Sequence, residues 1–181
     1  MYHYRQAQEH LRTLPEPLAE GQLRLACERS GRPPEQAARA VAYWMEDAPL
    51  RAVARHLRPG VTDLLATAKQ KGIRLGVLSD YPAEKKLQAM HLESFFSVVL
   101  CAQDARIGVF KPSPKGLAVM LAELGAGPEN TVYVGDRAAV DGETAFRAGV
   151  AGVILGEPSG RAGPGWVGAP DVPALRALLA I

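Results

Sequence analysis

The chain has 181 residues and a formal net charge of +2, which suits one domain with a small appendage and indicates neither a nucleic-acid nor a membrane surface. No run approaches the about 18 apolar residues of a membrane span, and the first residues, MYHYRQAQEH, lack the apolar core of a signal peptide. Its two cysteines, Cys27 and Cys101, stand far apart in no metal-like spacing. These features predict a cytoplasmic protein with free thiols that binds neither nucleic acid nor a membrane.

The first segment, residues 1–57, has the pattern of three or four short helices. Apolar residues recur there at helical spacing, and prolines and glycines interrupt them. Residues with this spacing include Leu11, Leu14, Leu18, Val41, Trp44 and Met45. The sequence therefore predicts a small helical subdomain at 1–57, followed by a core at 58–181.

In the second segment, predicted strands and helices alternate. The predicted helices cover residues 61–71, 82–90, 114–124, a short stretch before Gly149, and 173–179. The predicted strands cover 73–80, 97–102, 131–134 and 151–156, and the Gly/Pro-rich residues 156–170 are predicted to form a loop. This alternation predicts an α/β fold with a doubly wound parallel sheet.

Residues 131–150, TVYVGDRAAVDGETAFRAGV, combine a buried strand, two acids and a short helix. Because open α/β sheets bind ligands at the carboxyl ends of their strands, Asp136 and Asp141 lie where a ligand is expected. Two carboxylates about 4 Å apart repel by roughly 4 kcal/mol at an effective dielectric constant of about 20, and a Mg²⁺ ion between them removes this repulsion. From these residues alone, a Mg²⁺ site and a turn with solvated acids both remain open.

Polar side chains also follow other predicted strands. Ser79 ends the strand at 73–80, Lys111 lies in the loop after the strand at 97–102, and Asp136 follows the acidic unit's strand. Since the carboxyl ends of parallel strands share one edge of a sheet, we expect these side chains to meet. A hydroxyl and an ammonium can both bind phosphate oxygens, and the acids can hold a metal. This convergence favours a functional site over a plain turn.

Other motifs in the sequence lack the structural context that their usual function requires. Residues 163–168 match G-x-G-x-x-G as a string, but they contain a proline and open no predicted helix, so a surface loop is favoured over a dinucleotide site. The sequence contains neither a P-loop nor a G-x-S-x-G elbow. A nucleoside triphosphatase and a serine hydrolase therefore have no support.

Three segments in order resemble the haloacid dehalogenase superfamily, in its phosphatase-like branch with a helical cap (phosphoglycolate phosphatase-like). They are LGVLSD at 75–80, VFKPSP at 109–114 and VGDRAAVDGETAFRAGV at 134–150. The similarity covers most of residues 57–181. It implies a Rossmannoid core, with the helical segment 1–57 acting as the cap.

The resemblance also implies a role for each matching residue. Ser79 would bind the phosphoryl oxygens, and the backbone N–H of Asp80 would contribute to the same pocket. Lys111 would offset charge on the nucleophile and the phosphate. Asp136 would ligate Mg²⁺, and Asp141 would hold a metal-bound water or orient the lysine. The implied activity is Mg²⁺-dependent hydrolysis of a small phosphorylated metabolite, a phosphomonoester, through an aspartyl-phosphate.

One departure from the family pattern concerns the nucleophile. The family's nucleophilic aspartate belongs to a D-x-D-G-T motif, and this motif is absent from the 181 residues. In the family, the strand that ends in this motif is central, between the strands that match 74–79 and 131–135. We therefore expect that two strands of the sheet close the gap, that another segment, a partner chain or an oligomer fills it, or that the polypeptide starts further upstream, and we favour the last.

Two other functions remain alternatives. The chain as given would be a catalytically inactive phosphate-binding or partner module if no other residue supplies the nucleophile. A metal-free dehalogenase of the same superfamily is disfavoured by the pair Asp136 and Asp141, whose spacing is typical of the metal-dependent phosphatases.

Overall fold

The computed structural model of the protein describes residues 2–10 and 18–181, without the side chains of residues 8–10. Short helices come first and a strand–helix alternation follows, in the predicted order. The helices are α1 (Tyr2–His10), α2 (Leu18–Ser30), α3 (Pro34–Ala42), α4 (Leu50–Arg55), α5 (Val61–Gln70), α6 (Glu84–Ala89), α7 (Lys115–Leu124), α8 (Glu143–Ala148) and α9 (Val172–Leu179). The predicted helical residues Leu11 and Leu14 lie outside the described residues.

The strands are β1 (Gly76–Ser79), β2 (Val98–Cys101), β3 (Val132–Gly135), β4 (Ala151–Leu155), β5 (Ala162–Gly163) and β6 (Trp166–Ala169). Four of the six described strands, β1 to β4, occupy the predicted places, whereas β5 and β6 lie in the segment predicted as a loop. Two π-helical turns, Tyr43–Asp47 and Ala138–Gly142, are additional features that the sequence patterns did not predict. The second of these turns carries Asp141 at the start of α8.

These strands form two sheets. β1 pairs in parallel with β2, and the second sheet has the order β3-β4-β6-β5. Among the strand pairs of the described residues, β5–β6 alone is antiparallel. Within residues 2–10 and 18–181, no strand joins β1 to β3. The α/β Rossmannoid class is confirmed, and the sheet is divided at this position.

The predicted loop at 156–170 is wrong. Residues 162–163 and 166–169 form a hairpin, and β6 extends the sheet beside β4. One of the glycines of this segment, Gly163, makes room for a large ring, because a Cβ atom there would overlap the indole of Trp166, as would a Cβ atom on Gly142 from outside the segment. The G-x-G-x-x-G string at 163–168 thus belongs to a strand pair.

The largest apolar cluster holds α7 against the strands. Its buried residues are Leu100, Ile107, Leu117, Met120, Leu121, Leu124 and Val150. Burying a Leu, Ile or Met side chain of this kind stabilises the fold by about 1.5–3 kcal/mol. Gly125, at φ 59°, ends α7 in a left-handed conformation that glycine adopts without strain. This packing fixes the loop before α7, which carries Lys111.

The amino-terminal helices pack directly onto the loops that follow β1 and β2. Leu18 of α2 contacts Ala102 and Phe110 in an apolar cluster. Gln22, fully buried, donates hydrogen bonds to the backbone oxygen of Tyr4 and to the hydroxyl of Tyr81. The helical segment therefore lies next to the carboxyl ends of β1 and β2. None of the helices in the described part of the chain is long and apolar enough to cross a membrane.

Candidate functional site

The carboxyl ends of β1 and β3 are connected by side chains, although the two strands belong to different sheets. Asp80, directly after β1, accepts a hydrogen bond from the guanidinium of Arg137, with Nη2 3.3 Å from Oδ2. The backbone N–H of Lys111 donates to the other Asp80 oxygen at 3.2 Å. Asp80 thus holds together the three chain segments that carry the predicted site.

Lys111 lies at the centre of this arrangement. Its Nζ donates to Oδ1 of Asp141 at 2.7 Å and to the hydroxyl of Tyr133 at 3.2 Å. The side chains of Lys111 and Asp141 are only 11% and 3% exposed, so this ion pair is screened little by water. The prediction that Lys111 and the acidic unit meet at one edge therefore agrees with the observed geometry.

The carboxylate of Asp141 is surrounded by donors. Besides Lys111, the hydroxyl of Tyr133 donates to Oδ1 at 3.1 Å. The backbone N–H groups of Asp136 and Arg137 donate to Oδ2 at 3.2 and 3.0 Å. Both carboxylate oxygens therefore accept hydrogen bonds, and these bonds hold Lys111 and the backbone before the π-helical turn in place.

Electrostatics follow from this geometry. Burial alone would raise the pKa of Asp141, but the Lys111 ammonium, its hydrogen bond and the Arg137 backbone N–H lower the pKa below its ordinary value. Burial, reinforced by the Asp141 charge, raises the pKa of Tyr133 far above its ordinary range. The site thus contains an ionised carboxylate, an ammonium and a neutral phenol.

The ionisation of Asp141 should contribute to the pH dependence of the free energy of unfolding. Its pKa in the folded state lies below the ordinary value of 3.8, so its contribution is complete above that value and is lost as the pH falls through the folded-state pKa. We expect Asp141→Asn to be less stable than the parent at pH 7 and to lose less further stability below about pH 4. Urea unfolding at stepped pH measures this, and parallel acid profiles of the two proteins would contradict it.

The remaining predicted residues differ in exposure. Ser79 lines a cavity of about 520 Å³ together with Asp80, Lys111 and Arg137, and its hydroxyl accepts a hydrogen bond from the backbone N–H of Tyr81 at 3.2 Å. The Asp136 side chain is 74% exposed, and the Arg137 Nε atom lies 4.0 Å from its Oδ1. The five predicted positions, Ser79, Asp80, Lys111, Asp136 and Asp141, therefore share one edge, with Asp136 on its solvent side.

Sequence reasoning missed two contributors, Arg137 and Tyr133. Arg137 connects the two sheets through its hydrogen bond to Asp80. The hydroxyl of Tyr133 accepts a hydrogen bond from Lys111 and donates one to Asp141. The sequence pattern identifies Tyr133 only as a strand residue. Its position two residues before Gly135 on a strand that ends at the site was the available signal, because alternate strand residues share a face.

An α/β core whose strand ends gather Ser79, Lys111 and the two acids defines a Rossmannoid protein with charged side chains at one edge of its sheets. The family model for haloacid dehalogenase-like hydrolases matches residues 4–149. The chain therefore belongs to the haloacid dehalogenase-like hydrolase family.

Curated and solved relatives agree with this family. The chain is 36% identical over 100 residues to the glyceraldehyde 3-phosphate phosphatase of Methanopyrus kandleri, covering 54% of this chain and 42% of that protein. It is 31% identical over 83 residues to the phosphoglycolate phosphatase of Escherichia coli, covering 44% and 32%. The matched region thus spans less than half the length of these relatives. A 2-haloacid dehalogenase from Pseudomonas syringae shares the fold, with a TM-score of 0.68, 22% identity, and coverage of 99% of this chain and 80% of that one.

Proposed function

We propose that this chain carries the phosphate-binding side of an enzyme that hydrolyses small phosphomonoesters. The observation that carries the proposal is the buried Lys111–Asp141 pair beside Ser79, which holds a fixed ammonium at the wall of the cavity. A phosphoryl group placed there would accept hydrogen bonds from Lys111 and from the Ser79 hydroxyl. Such preorganised donors stabilise negative charge in a transferring phosphoryl group. The phosphatase relatives support the same reaction class.

The residues present fit a Mg²⁺ ion in part. Mg²⁺ is commonly held by one or two carboxylates together with waters and substrate phosphate. Asp136 offers an exposed carboxylate at the end of β3, whereas both oxygens of Asp141 already accept hydrogen bonds. Within the described residues, no group of three or more His, Cys, Asp or Glu side chains could hold a metal. We assign Asp136 as the ligand and Asp141 as the residue that orients Lys111; a bound Mg²⁺ would neutralise phosphate charge.

Asp136→Asn should weaken Mg²⁺ binding at least tenfold, because a carboxylate ligand is replaced by a neutral amide. Isothermal titration calorimetry of Mg²⁺ in the presence of inorganic phosphate measures the effect. Asp104→Asn is the matched control, because Asp104 is engaged by Arg106 away from the cavity. Equal Mg²⁺ affinity in the parent and Asp136→Asn would count against the metal assignment.

A catalytically inactive phosphate-binding module of the same fold is the second candidate. It is favoured by the absence of a D-x-D-G-T nucleophile motif from the 181 residues. Turnover of para-nitrophenyl phosphate with Mg²⁺ separates the two functions. Turnover that Lys111→Met abolishes supports the enzyme, binding of phosphate without turnover supports the module, and no phosphate binding contradicts both.

Several expectations from the sequence stay predictions. These are the division into a cap at 1–57 and a core at 58–181, a cytoplasmic location, the lack of nucleic-acid and membrane partners, and a partner chain or oligomer beside β1 and β3. The two-sheet arrangement supports the last of them, because the edge of β1 that faces away from β2 pairs with no strand in the described residues.

A further inference from the structure

The cavity beside β1 contains more positive charge than a phosphate site formed by Ser79 and Lys111 requires. Its wall carries four cationic side chains and one carboxylate. The cations are Arg5, Lys86, Lys111 and Arg137, and the carboxylate is Asp80. They come from α1, α6, the loop before α7, the segment after β3 and the end of β1. Elements that are distant in sequence thus bring positive charge to one space.

Two of these cations are already paired. Lys111 forms an ion pair with Asp141, and Arg137 forms one with Asp80. By contrast, neither Arg5 nor Lys86 forms an ion pair with any side chain that the structure describes. Among the described side chains, these two residues therefore supply the positive charge of the cavity wall that is not held in an ion pair.

The charges of these two cations without an ion pair act on each other. Lys86 is half-buried, and burial followed by the nearby Arg5 charge lowers the pKa of its ammonium, while the Glu46 carboxylate acts in the opposite direction. Like charges that share a partly desolvated wall repel one another. An anion placed between Arg5 and Lys86 would remove this repulsion and regain charge-assisted hydrogen bonds.

We propose that Arg5 and Lys86 bind a carboxylate carried by the same molecule whose phosphate is held by Ser79 and Lys111. The inference rests on the proposed function and narrows its substrate class to small phosphorylated carboxylic acids. The guanidinium of an arginine matches a carboxylate in two parallel hydrogen bonds, and a lysine adds a point charge. Val53, Leu87 and Met90 line the same cavity and suit a short carbon skeleton between the two anionic groups.

The carboxylate subsite would distinguish between the substrates named for the two curated relatives. Phosphoglycolate carries a carboxylate besides its phosphate, whereas glyceraldehyde 3-phosphate carries only neutral oxygens there. A site that contains Arg5 and Lys86 should therefore prefer phosphoglycolate. The preference is a property of binding, so it can be measured whether or not the chain turns substrate over.

Calorimetric titration of the 181-residue chain with phosphoglycolate, glyceraldehyde 3-phosphate and inorganic phosphate tests the proposal. We expect Arg5→Gln and Lys86→Met each to weaken phosphoglycolate binding by about tenfold or more, because a charged hydrogen bond is lost. Binding of the other two ligands should change by less than about twofold. Arg29→Gln and Lys71→Met, at exposed cations outside the cavity, should leave all three affinities unchanged.

The three ligands distinguish failure of the subsite from failure of the phosphate site. If inorganic phosphate binds but phosphoglycolate shows no preference over glyceraldehyde 3-phosphate, the carboxylate subsite is wrong and the phosphate site stands. The subsite is also wrong if Arg5→Gln and Lys86→Met weaken the binding of all three ligands equally. If none of the three ligands binds the parent chain, the proposed function fails together with the subsite.

Discussion

Lys111→Met should lower the free energy of unfolding by about 3–5 kcal/mol, because it leaves the buried Asp141 carboxylate without its countercharge. Asp141 is 3% exposed at its side chain, so water does not replace the missing ammonium. The variant should also lose phosphate binding, since Lys111 is the cavity cation that the proposed phosphate site uses together with Ser79. Urea unfolding at pH 7 and calorimetry with inorganic phosphate measure the two effects.

The double variant Lys111→Met/Asp141→Asn separates charge from packing. Removing both charges takes away the uncompensated carboxylate, so we expect the double variant to be more stable than Lys111→Met alone while still failing to bind phosphate. Lys115→Met, at an exposed lysine four residues further along, is the matched control and should change stability by less than about 0.5 kcal/mol. A cost below about 1 kcal/mol for Lys111→Met would show that the pair is not buried in solution.

Gly135→Ala should cost about 3 kcal/mol or more, because the new methyl group has no space at the end of β3. A Cβ atom on Gly135 would lie 2.8 Å from Oδ2 of Asp141 and closer still to its Cβ and Cγ. Asp141 cannot move aside without breaking its bonds to Lys111 and to two backbone N–H groups. The free-energy costs of overpacking and of breaking a buried hydrogen-bond network therefore add. Thermal and urea unfolding measure the loss.

Gly76→Ala, in β1, is the comparison for this effect. Its Cβ atom would meet the sulfur and terminal methyl of Met120 and the end of Leu124, which can shift by rotation of flexible side chains. We expect a loss of about 1–2 kcal/mol there, smaller than at Gly135. Equal losses at the two glycines would mean that Asp141 is free to move.

The order of elements was predictable because most of it depends on local patterns. The apolar runs at 76–79, 98–101 and 151–155 and the glycine stops at Gly125 and Gly149 each reflect a neighbouring few residues. Lys111 and Asp141 could be expected at one edge because parallel strands align their carboxyl ends. Local patterns together with parallel strand topology were therefore enough to predict that Lys111 and Asp141 lie at the same edge.

The missed features depend on contacts that no local pattern records. The hairpin at 162–169 is stabilised by pairing with β4 and by the ring of Trp166, and its glycine-rich sequence is also typical of a loop. The bridge from Arg137 to Asp80 joins residues 57 positions apart. Neither could be predicted from spacing, because each requires knowledge of which segments become neighbours.

The division between β1 and β3 has a consequence for handling the protein. In the described part of the chain, one backbone edge of each strand pairs with no other strand, and Val132 and Val134 on β3 are 43% and 39% exposed. Open strand edges next to exposed valines are templates for intermolecular cross-β association. The purified chain is therefore expected to become increasingly prone to aggregation as its concentration rises, and dilute, cold storage follows as the practical choice.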